Sequence, residues 1–402
     1  MMSAAAPVSG QASAAAARNG PLIFLVAGEE SGDRLGAALI EAIRARCGDG
    51  VAFAGIGGHA MAARGVPSLF PIDELAIVGL GIAGKLPLIL RRIRQAAAAV
   101  IAARPDVLVI IDSPDFTHRV ARRVRAAAPE IPIVDYVSPS VWAWRPWRAR
   151  AMRAYVDHVL ALLPFEPAVH AKLGGPPCTF VGHPLSENIA VLRPDAAEAR
   201  RRLTDPPVVL VLPGSRRGEI RRMLATFAQA IDRLAARTGP IELVLPTVPH
   251  LAEEIRRAAS AWRVPPRIVV DTAEKYSAFR AARAALAKSG TVTLELALAG
   301  IPMVAAYKVS AFEEFVARRM IRVPSVILAN LVLGENVVPE LLQAACTPDA
   351  LAEALAPLLR DTPERHRQAA AFARLDAIMQ IGRTKPSERA AGIVLEIAAR
   401  GR

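Results

Sequence analysis

The stretch VLVIIDSPDF, residues 107–116, follows an unbroken apolar run with two acids, Asp112 and Asp115, held apart by Ser113 and Pro114. A Val/Ile/Leu run of this kind is the mark of a strand buried on both faces of a parallel sheet, and an unpaired carboxylate is costly to bury. The acids therefore mark the strand's end, where open α/β sheets bind their ligands. A carboxylate placed there can take a proton from a substrate hydroxyl, and Asp112 is the candidate base. Asp115, just past Pro114, reads as an acid capping the start of a helix.

Three Gly/Ser turns are the other candidates. FLVAGEESGDRLGAALI (24–40) puts Gly28, Glu29, Ser31 and Gly32 between a strand and a helix. VVLVLPGSRRGEI (208–220) does the same with Gly214, Ser215 and Arg216, and AKSGTVTLELALAG (287–300) with Ser289, Gly290, Thr291 and, one turn later, Glu295. Free N–H groups and the positive end of the helix dipole suit such turns to phosphate, and Arg216 adds a bidentate donor. A tight turn that merely needs glycine explains either of the first two equally well. Thr291 and Glu295 read as a capping pair, or as a nucleotide site whose glutamate holds ribose hydroxyls; Arg216 favours the second.

The elements that must position these residues alternate. Strand-like runs PLIFLVAG, VAFAGIGG, VLVIIDSP, IPIVDYVSP and HVLALLPF are followed, after a polar Pro-bounded seam, by PVVLVLPG, IELVLPTV, RIVVD and IPMVAAYK, with helical patterns between them. This is the grammar of parallel βαβ units. The expected fold is α/β, with two Rossmann-like parallel-sheet domains and a cleft between them. The divisions expected are a disordered Ala/Ser-rich tail at 1–20, a first domain at 21–190, a second at 191–375, and a C-terminal helix at 376–402 packing back on the first.

Composition narrows the class. The 402 residues carry 50 Lys and Arg against 37 Asp and Glu, a net charge of +13, which calls for an anionic partner: nucleic acid, acidic lipid or a phosphorylated ligand. Aromatic content of 5% argues against a base-stacking surface. The cysteines, Cys47, Cys178 and Cys346, are far apart and odd in number, as expected of free thiols in a reducing cytoplasm. The longest apolar stretch, 75–90, is interrupted by Lys85 and Pro87 and falls short of a membrane span. The chain has no GxxxxGK[ST], HExxH, GxSxG or DxD string. P-loop, zinc-protease, serine-hydrolase and metal-dependent sugar-transfer chemistries lose support, and no metal or cofactor is expected.

Taken in order, AGEESGDRLGA (27–37), GIGGHAM (55–61), IDSPDF (111–116), YVSPSVWAWR (136–145), LLPFE (162–166), FVGHPL (180–185), LPGSRRGEI (212–220) and SGTVTLELAL (289–298) resemble the lipid-A-disaccharide synthase family. The resemblance implies a GT-B-type inverting glycosyltransferase. It would join UDP-2,3-diacylglucosamine to 2,3-diacylglucosamine 1-phosphate in a β-1,6 linkage, releasing UDP, at the cytoplasmic face of the inner membrane. It points to Asp112 as essential, adds Asn330 and Gln343 to the UDP site, and fits Glu295 to the ribose. Glu29, Ser31 and Gly32 would form an acceptor-side loop. A homodimer is left open, and nucleic acid is not an expected partner. The alternatives are another UDP-GlcNAc-using GT-B enzyme with a lipid-linked acceptor, or a basic nucleic-acid-binding protein.

The acyl chains need a surface. In ELAIVGLGIAGKLPLILRRIRQ (74–95) a Gly-rich apolar loop precedes a helix with Leu86, Ile89, Leu90 and Ile93 on one side and Arg91, Arg92 and Arg94 around the other. Periodicity alone fits a lipid-facing segment or an ordinary helix packed on the sheet equally well. The lipid substrates implied by the resemblance favour membrane and acyl contact. Trp142, Trp144 and Trp147 crowd into SVWAWRPWR; Trp142 reads as packing, and the other two remain open between packing and a lipid interface.

Overall fold

A computed structural model describes residues 20–75, 82–310, 313–315, 319 and 323–400, and for 82–85 the backbone alone. The expected tail, apart from residue 20, and the apolar loop 76–81 lie outside the described residues. The chain divides into two compact units: one formed by residues up to Pro184 together with Thr384 onward, the other by Leu185–Arg383. The passages between units fall at 184/185, within the polar Pro-bounded seam, and at 383/384, a few residues from the expected divisions at 190/191 and 375/376. Residues 376–383 therefore belong with the second unit.

In the first unit, β1 (Leu22–Ala27), β2 (Ala52–Ile56), β3 (Val107–Ile111), β4 (Ile133–Tyr136), β5 (His158–Ala161) and β6 (Cys178–Phe180) form one sheet in the order β2-β1-β3-β4-β5-β6. Every pairing is parallel. Alternate side chains serve opposite faces, as the two-residue strand period requires. Ile23, Leu25 and Ala27 join Val107, Val109 and Ile111 under the helix Glu30–Cys47 and the C-terminal helix Pro386–Arg400, which contributes Ala390, Ala391, Val394 and Ala398. Phe24, Val26, Leu108 and Ile110 face the other way, under the helices Ile82–Ala103 and Pro114–Ala127. Each fully buried branched side chain contributes about 1.5–3 kcal/mol, so two such layers hold the sheet rigid beneath its loops.

The second unit repeats the plan. β7 (Val208–Leu212), β8 (Glu242–Pro246), β9 (Arg267–Val269), β10 (Ala284–Lys288), β11 (Met303–Tyr307) and β12 (Glu340–Leu342) run in parallel in the order β12-β11-β10-β7-β8-β9. The helix Arg217–Thr238 lays Ile220, Met223, Leu224, Phe227, Ile231 and Leu234 on one face of this sheet, at the helical spacing visible in the sequence.

Both sheets reverse their strand order at one place, between β1 and β3 in the first and between β7 and β10 in the second. At such a switch point adjacent loops leave in opposite directions and open a crevice at the carboxyl ends of the strands. Gly28–Gly32 and Asp112 lie on those loops in the first unit, and Gly214–Arg216 and Ser289–Thr291 in the second.

Candidate functional site

In the first unit the turn after β1 meets the end of β3. A Cβ added to Gly28 would lie 2.8 Å from the Ser113 side chain, and one on Gly32 would lie 3.0 Å from the Ile111 carbonyl oxygen. Glycine at these positions lets the turn approach closely enough for Ser31 Oγ to donate to Asp112 Oδ2 at 3.0 Å. Asp112 Oδ1 accepts from the Ser113 amide at 2.7 Å, and Thr117 Oγ1 donates to the Asp112 carbonyl at 2.7 Å. The carboxylate thus has two fixed donors and stands at the strand end. Glu29 is exposed and caps the helix through its carbonyl, which accepts from the Asp33 amide at 2.9 Å; its side chain makes no cap.

The backbone around Asp112 is unusual. Asp112 and Ser113 adopt left-handed φ values of 53° and 47°, Arg145 has φ 53°, and the β-branched Val137 has φ 92°. Such conformations cost of order 1–3 kcal/mol each outside glycine, and they persist where the surroundings enforce them. Asp112, Val137, Ser140, Trp144 and Arg148 line a cavity of about 200 Å³ at this spot. Its 137–145 loop is held from below. Trp142 Nε1 donates to Glu166 Oε1 at 3.2 Å, the Leu163 amide donates to Glu166 Oε2 at 2.9 Å, and Ser138 Oγ lies 2.8 Å from His170 Nε2. Beneath them His118 Nε2 stands 3.3 Å from the fully buried Asp135. Burial pushes the Glu166 carboxyl up to about 7 despite the two donors.

The second unit corrects the simple phosphate-cradle expectation. The amides of Ser215 and Arg216 donate to Glu219 Oε2 at 3.2 and 3.3 Å, and Lys288 Nζ, arriving from β10, donates to Glu219 Oε1 at 3.0 Å. A Cβ on Gly214, whose φ is 121°, would lie 2.5 Å from that carboxylate. The 214–216 turn therefore already holds an anion, the chain's own. Burial raises the Glu219 pKa, but Lys288 and the two amides outweigh it and hold the carboxyl below its ordinary value. Arg216 Nη1 also lies 3.5 Å from Glu219 Oε1, but the Arg216 side chain is 82% exposed.

The other nucleotide candidates are placed unequally. Ser289 Oγ donates to the Val326 carbonyl at 3.0 Å, so its hydroxyl is occupied, whereas Thr291 is exposed at the start of the helix Thr291–Leu298. Gly290 precedes that helix. Both Glu295 oxygens take Lys275 Nζ, at 2.8 and 3.0 Å. Asn330 is buried, with Oδ1 accepting from the Val337 and Val338 amides and Nδ2 donating to the Val338 carbonyl and Glu340. Its side-chain oxygen and nitrogen both serve the 330–340 turn. Gln343, at φ 52°, accepts from the Val309 amide at 2.9 Å and keeps Nε2 buried without a hydrogen-bond partner among the described residues. Lys275, Lys288 and Glu219 were not singled out by sequence; Lys288 directly precedes the Ser-Gly-Thr turn, which was the available clue.

The membrane-contact expectation is also revised. Ile89 and Ile93 are buried in the core on the sheet face, and Leu90 packs against it. Arg92 pairs with Glu74 at 2.6 Å and lies 4.7 Å from the centroid of the Phe70 ring. The apolar stripe is satisfied by the protein's own sheet. Leu86, Arg91 and Arg94 remain exposed. Among the described residues no helix is long and apolar enough to cross a membrane, and no group of three or more His, Cys, Asp or Glu is placed to hold a metal. The described cysteines are free. A larger cavity, about 980 Å³, opens beside Pro206, Pro207 and Arg283 at the amino-terminal ends of β7 and β10, opposite the turns discussed above.

The family model for lipid-A-disaccharide synthetase matches residues 23–394. The chain belongs to the lipid-A-disaccharide synthetase family. The lipid-A-disaccharide synthase of Nitrobacter hamburgensis is 61% identical over 389 residues, covering 96% of this chain and 98% of that one. The synthase of Rhodospirillum centenum is 46% identical over 380 residues, covering 94% of each. Among solved structures, UDP-GlcNAc 2-epimerase from Neisseria meningitidis bound to UDP-GlcNAc superposes with a TM-score of 0.59 at 13% identity, covering 94% of this chain and 100% of that one. The glycotransferase of kitacinnamycin gives 0.59 at 17% identity, covering 94% and 99%. These likenesses show the two-domain GT-B fold. The family's reaction is the glycosyl transfer that forms the lipid A disaccharide, and this member is such a glycosyltransferase.

Glu166 yields a pH prediction. Folded, it keeps its proton to about pH 7 against an ordinary value of 4.5, so between those values the folded state binds more protons than the unfolded one. Stability therefore falls as pH rises through this window, by about 3 kcal/mol in all. Urea unfolding from pH 5 to 8 should show that decline in the wild-type protein and a flatter profile in Glu166→Gln; parallel profiles would remove Glu166 as its source.

Proposed function

We propose that Asp112 is the general base of an inverting transfer between UDP-2,3-diacylglucosamine and 2,3-diacylglucosamine 1-phosphate. Its carboxylate takes the proton of the acceptor 6-hydroxyl as that oxygen bonds to the donor's anomeric carbon. The bond from that carbon to the diphosphate breaks on the opposite face, through an oxocarbenium-like state, and UDP leaves. The observation that carries this reading is the Asp112 carboxylate itself, oriented by Ser31 and the Ser113 amide at a switch point and lining a cavity.

On the donor side Arg216 supplies the cation for the departing diphosphate, with Thr291 at its helix N-terminus. Lys288 and Glu219 hold the turn that presents Arg216. The unpartnered Gln343 Nε2 is suited to a carbonyl of the base, and Glu295, steadied by Lys275, to ribose hydroxyls. The Neisseria epimerase of the same fold is bound to UDP-GlcNAc, which supports a UDP-sugar as ligand.

The enzyme works at the cytoplasmic face of the inner membrane. Its net charge of +13 and the exposed Leu86, Arg91 and Arg94 support contact with an anionic bilayer.

Steady-state assays with both lipid substrates should give UDP release that persists in EDTA. Asp112→Asn should fold, bind UDP and lose roughly 10²–10⁴-fold in kcat; an unchanged kcat would remove Asp112 as base, and strict divalent-cation dependence would contradict the cationic site. Arg91→Ala/Arg94→Ala should weaken sedimentation with phosphatidylglycerol vesicles by about 2 kcal/mol, roughly 30-fold; undiminished binding would move the membrane contact elsewhere.

A further inference from the structure

The cavity beside Asp112 is lined by one carboxylate, Asp112, and one guanidinium, Arg148, together with Val137, Pro139 and Ser140. Trp144 completes the lining, and two guanidinium groups flank its ring, Arg145 Cζ 4.2 Å and Arg148 Cζ 5.7 Å from the centroid. Arg148 is paired with Asp115 at 3.1 Å, and Asp115 is 70% exposed. An ion pair so open to water is worth about 1 kcal/mol or less and yields readily to a stronger anion. The volume, about 200 Å³, is below the roughly 300–1,000 Å³ of pockets that enclose a drug-sized ligand. It suits a single polar head group and leaves acyl chains outside.

The strained backbone lies around this cavity. Val137 and Asp112 line it, Ser113 follows Asp112, and Arg145 follows Trp144, all at left-handed φ. Such conformations gather where a ligand must be met in fixed geometry. Among the described residues no buried carboxylate is paired to Arg148, so the cation of the cavity lining is not neutralised by the core.

We propose that this cavity holds the phosphorylated glucosamine head of the acceptor, with Arg148 binding the phosphomonoester and Asp112 facing the attacking hydroxyl. The inference rests on the function proposed above and adds which side chain selects the acceptor. A glucosamine 1-phosphate carries its phosphate on C1 and its 6-hydroxyl on the carbon attached to C5, the two ring carbons that flank the ring oxygen. The carboxylate repels the phosphate and the guanidinium attracts it, so the lining favours the phosphate at Arg148 with the hydroxyl, on its separate arm, turned to the base. Arg148 is a specificity-determining residue in this scheme, and Asp115 a placeholder that the phosphate displaces.

The test compares two acceptors, 2,3-diacylglucosamine 1-phosphate and the same lipid without its phosphate, in the wild-type enzyme and in Arg148→Ala and Arg148→Lys. In the wild type, removing the phosphate should cost roughly ten- to hundredfold in kcat/KM. In Arg148→Ala that preference should vanish, through loss on the phosphorylated acceptor alone, while the donor KM and binding to phosphatidylglycerol vesicles stay unchanged. Arg148→Lys, which keeps the charge but not the fork, should retain part of the preference. Equal losses on both acceptors, a raised donor KM, or a phosphate preference that survives in Arg148→Ala would overturn the proposal. So would weaker vesicle binding with acceptor preference intact, which would make this face a membrane contact. Wild-type protein that forms no disaccharide would instead refute the functional reading beneath it.

Discussion

Ser31 and Asp112 come from loops 81 positions apart in sequence, yet their side chains meet at 3.0 Å. That hydrogen bond is possible because β1 and β3 are neighbours, because Gly28 and Gly32 let one loop press on the other, and because Asp112 itself adopts a left-handed backbone. Remove any of the three and the carboxylate loses the Ser31 donor and keeps only the Ser113 amide. The first unit's two packed layers, Ile23/Leu25/Ala27 against one pair of helices and Phe24/Val26 against the other, fix the strand ends on which this depends. The catalytic reading is thus a statement about sheet topology before it is one about a carboxylate.

The second unit solves a related problem with charge. Glu219 accepts two amides of the Gly214–Arg216 turn and a lysine from the neighbouring strand end, so a buried anion ties the loops on either side of the switch point together. A buried ion pair of this kind is weak evidence for stability, since desolvation opposes the attraction, but it holds geometry. Arg216, at 3.5 Å from the same carboxylate, keeps most of its side chain in water. A turn that resembles a phosphate cradle in sequence is, in three dimensions, a cradle already filled, with the cation presented beside it.

The sequence made the alternating strands and helices legible, because apolar runs such as 107–111 and 208–212 have the length and continuity of doubly covered strands. It made Asp112 legible for the same reason, since an acid that ends such a run must lie at an opening. It could not reveal Ser31 or Lys288 as partners, because those contacts depend on strand order and not on spacing. The helix at 82–103 shows the limit of periodicity: Ile89 and Ile93 form a true apolar stripe, and nothing local says whether lipid or sheet will cover it. Asn330 was placed by resemblance alone, and its amide proves to be consumed by its own turn. The division between units lies at 184/185, at the start of the polar, Pro-bounded seam.

The central claim is that the carboxylate at position 112 removes the acceptor's proton, as distinct from merely shaping the site. Asp112→Gly separates the two, because glycine accepts the left-handed φ of 53° without strain and leaves a space the size of the missing group. Turnover of the glycine variant measured against rising formate concentration is the direct test. The account predicts a deep loss of rate that formate restores in a concentration-dependent way, a small carboxylate standing in for the side chain. A variant that folds and binds both substrates but ignores formate, or one that turns over at the wild-type rate without it, would contradict the account.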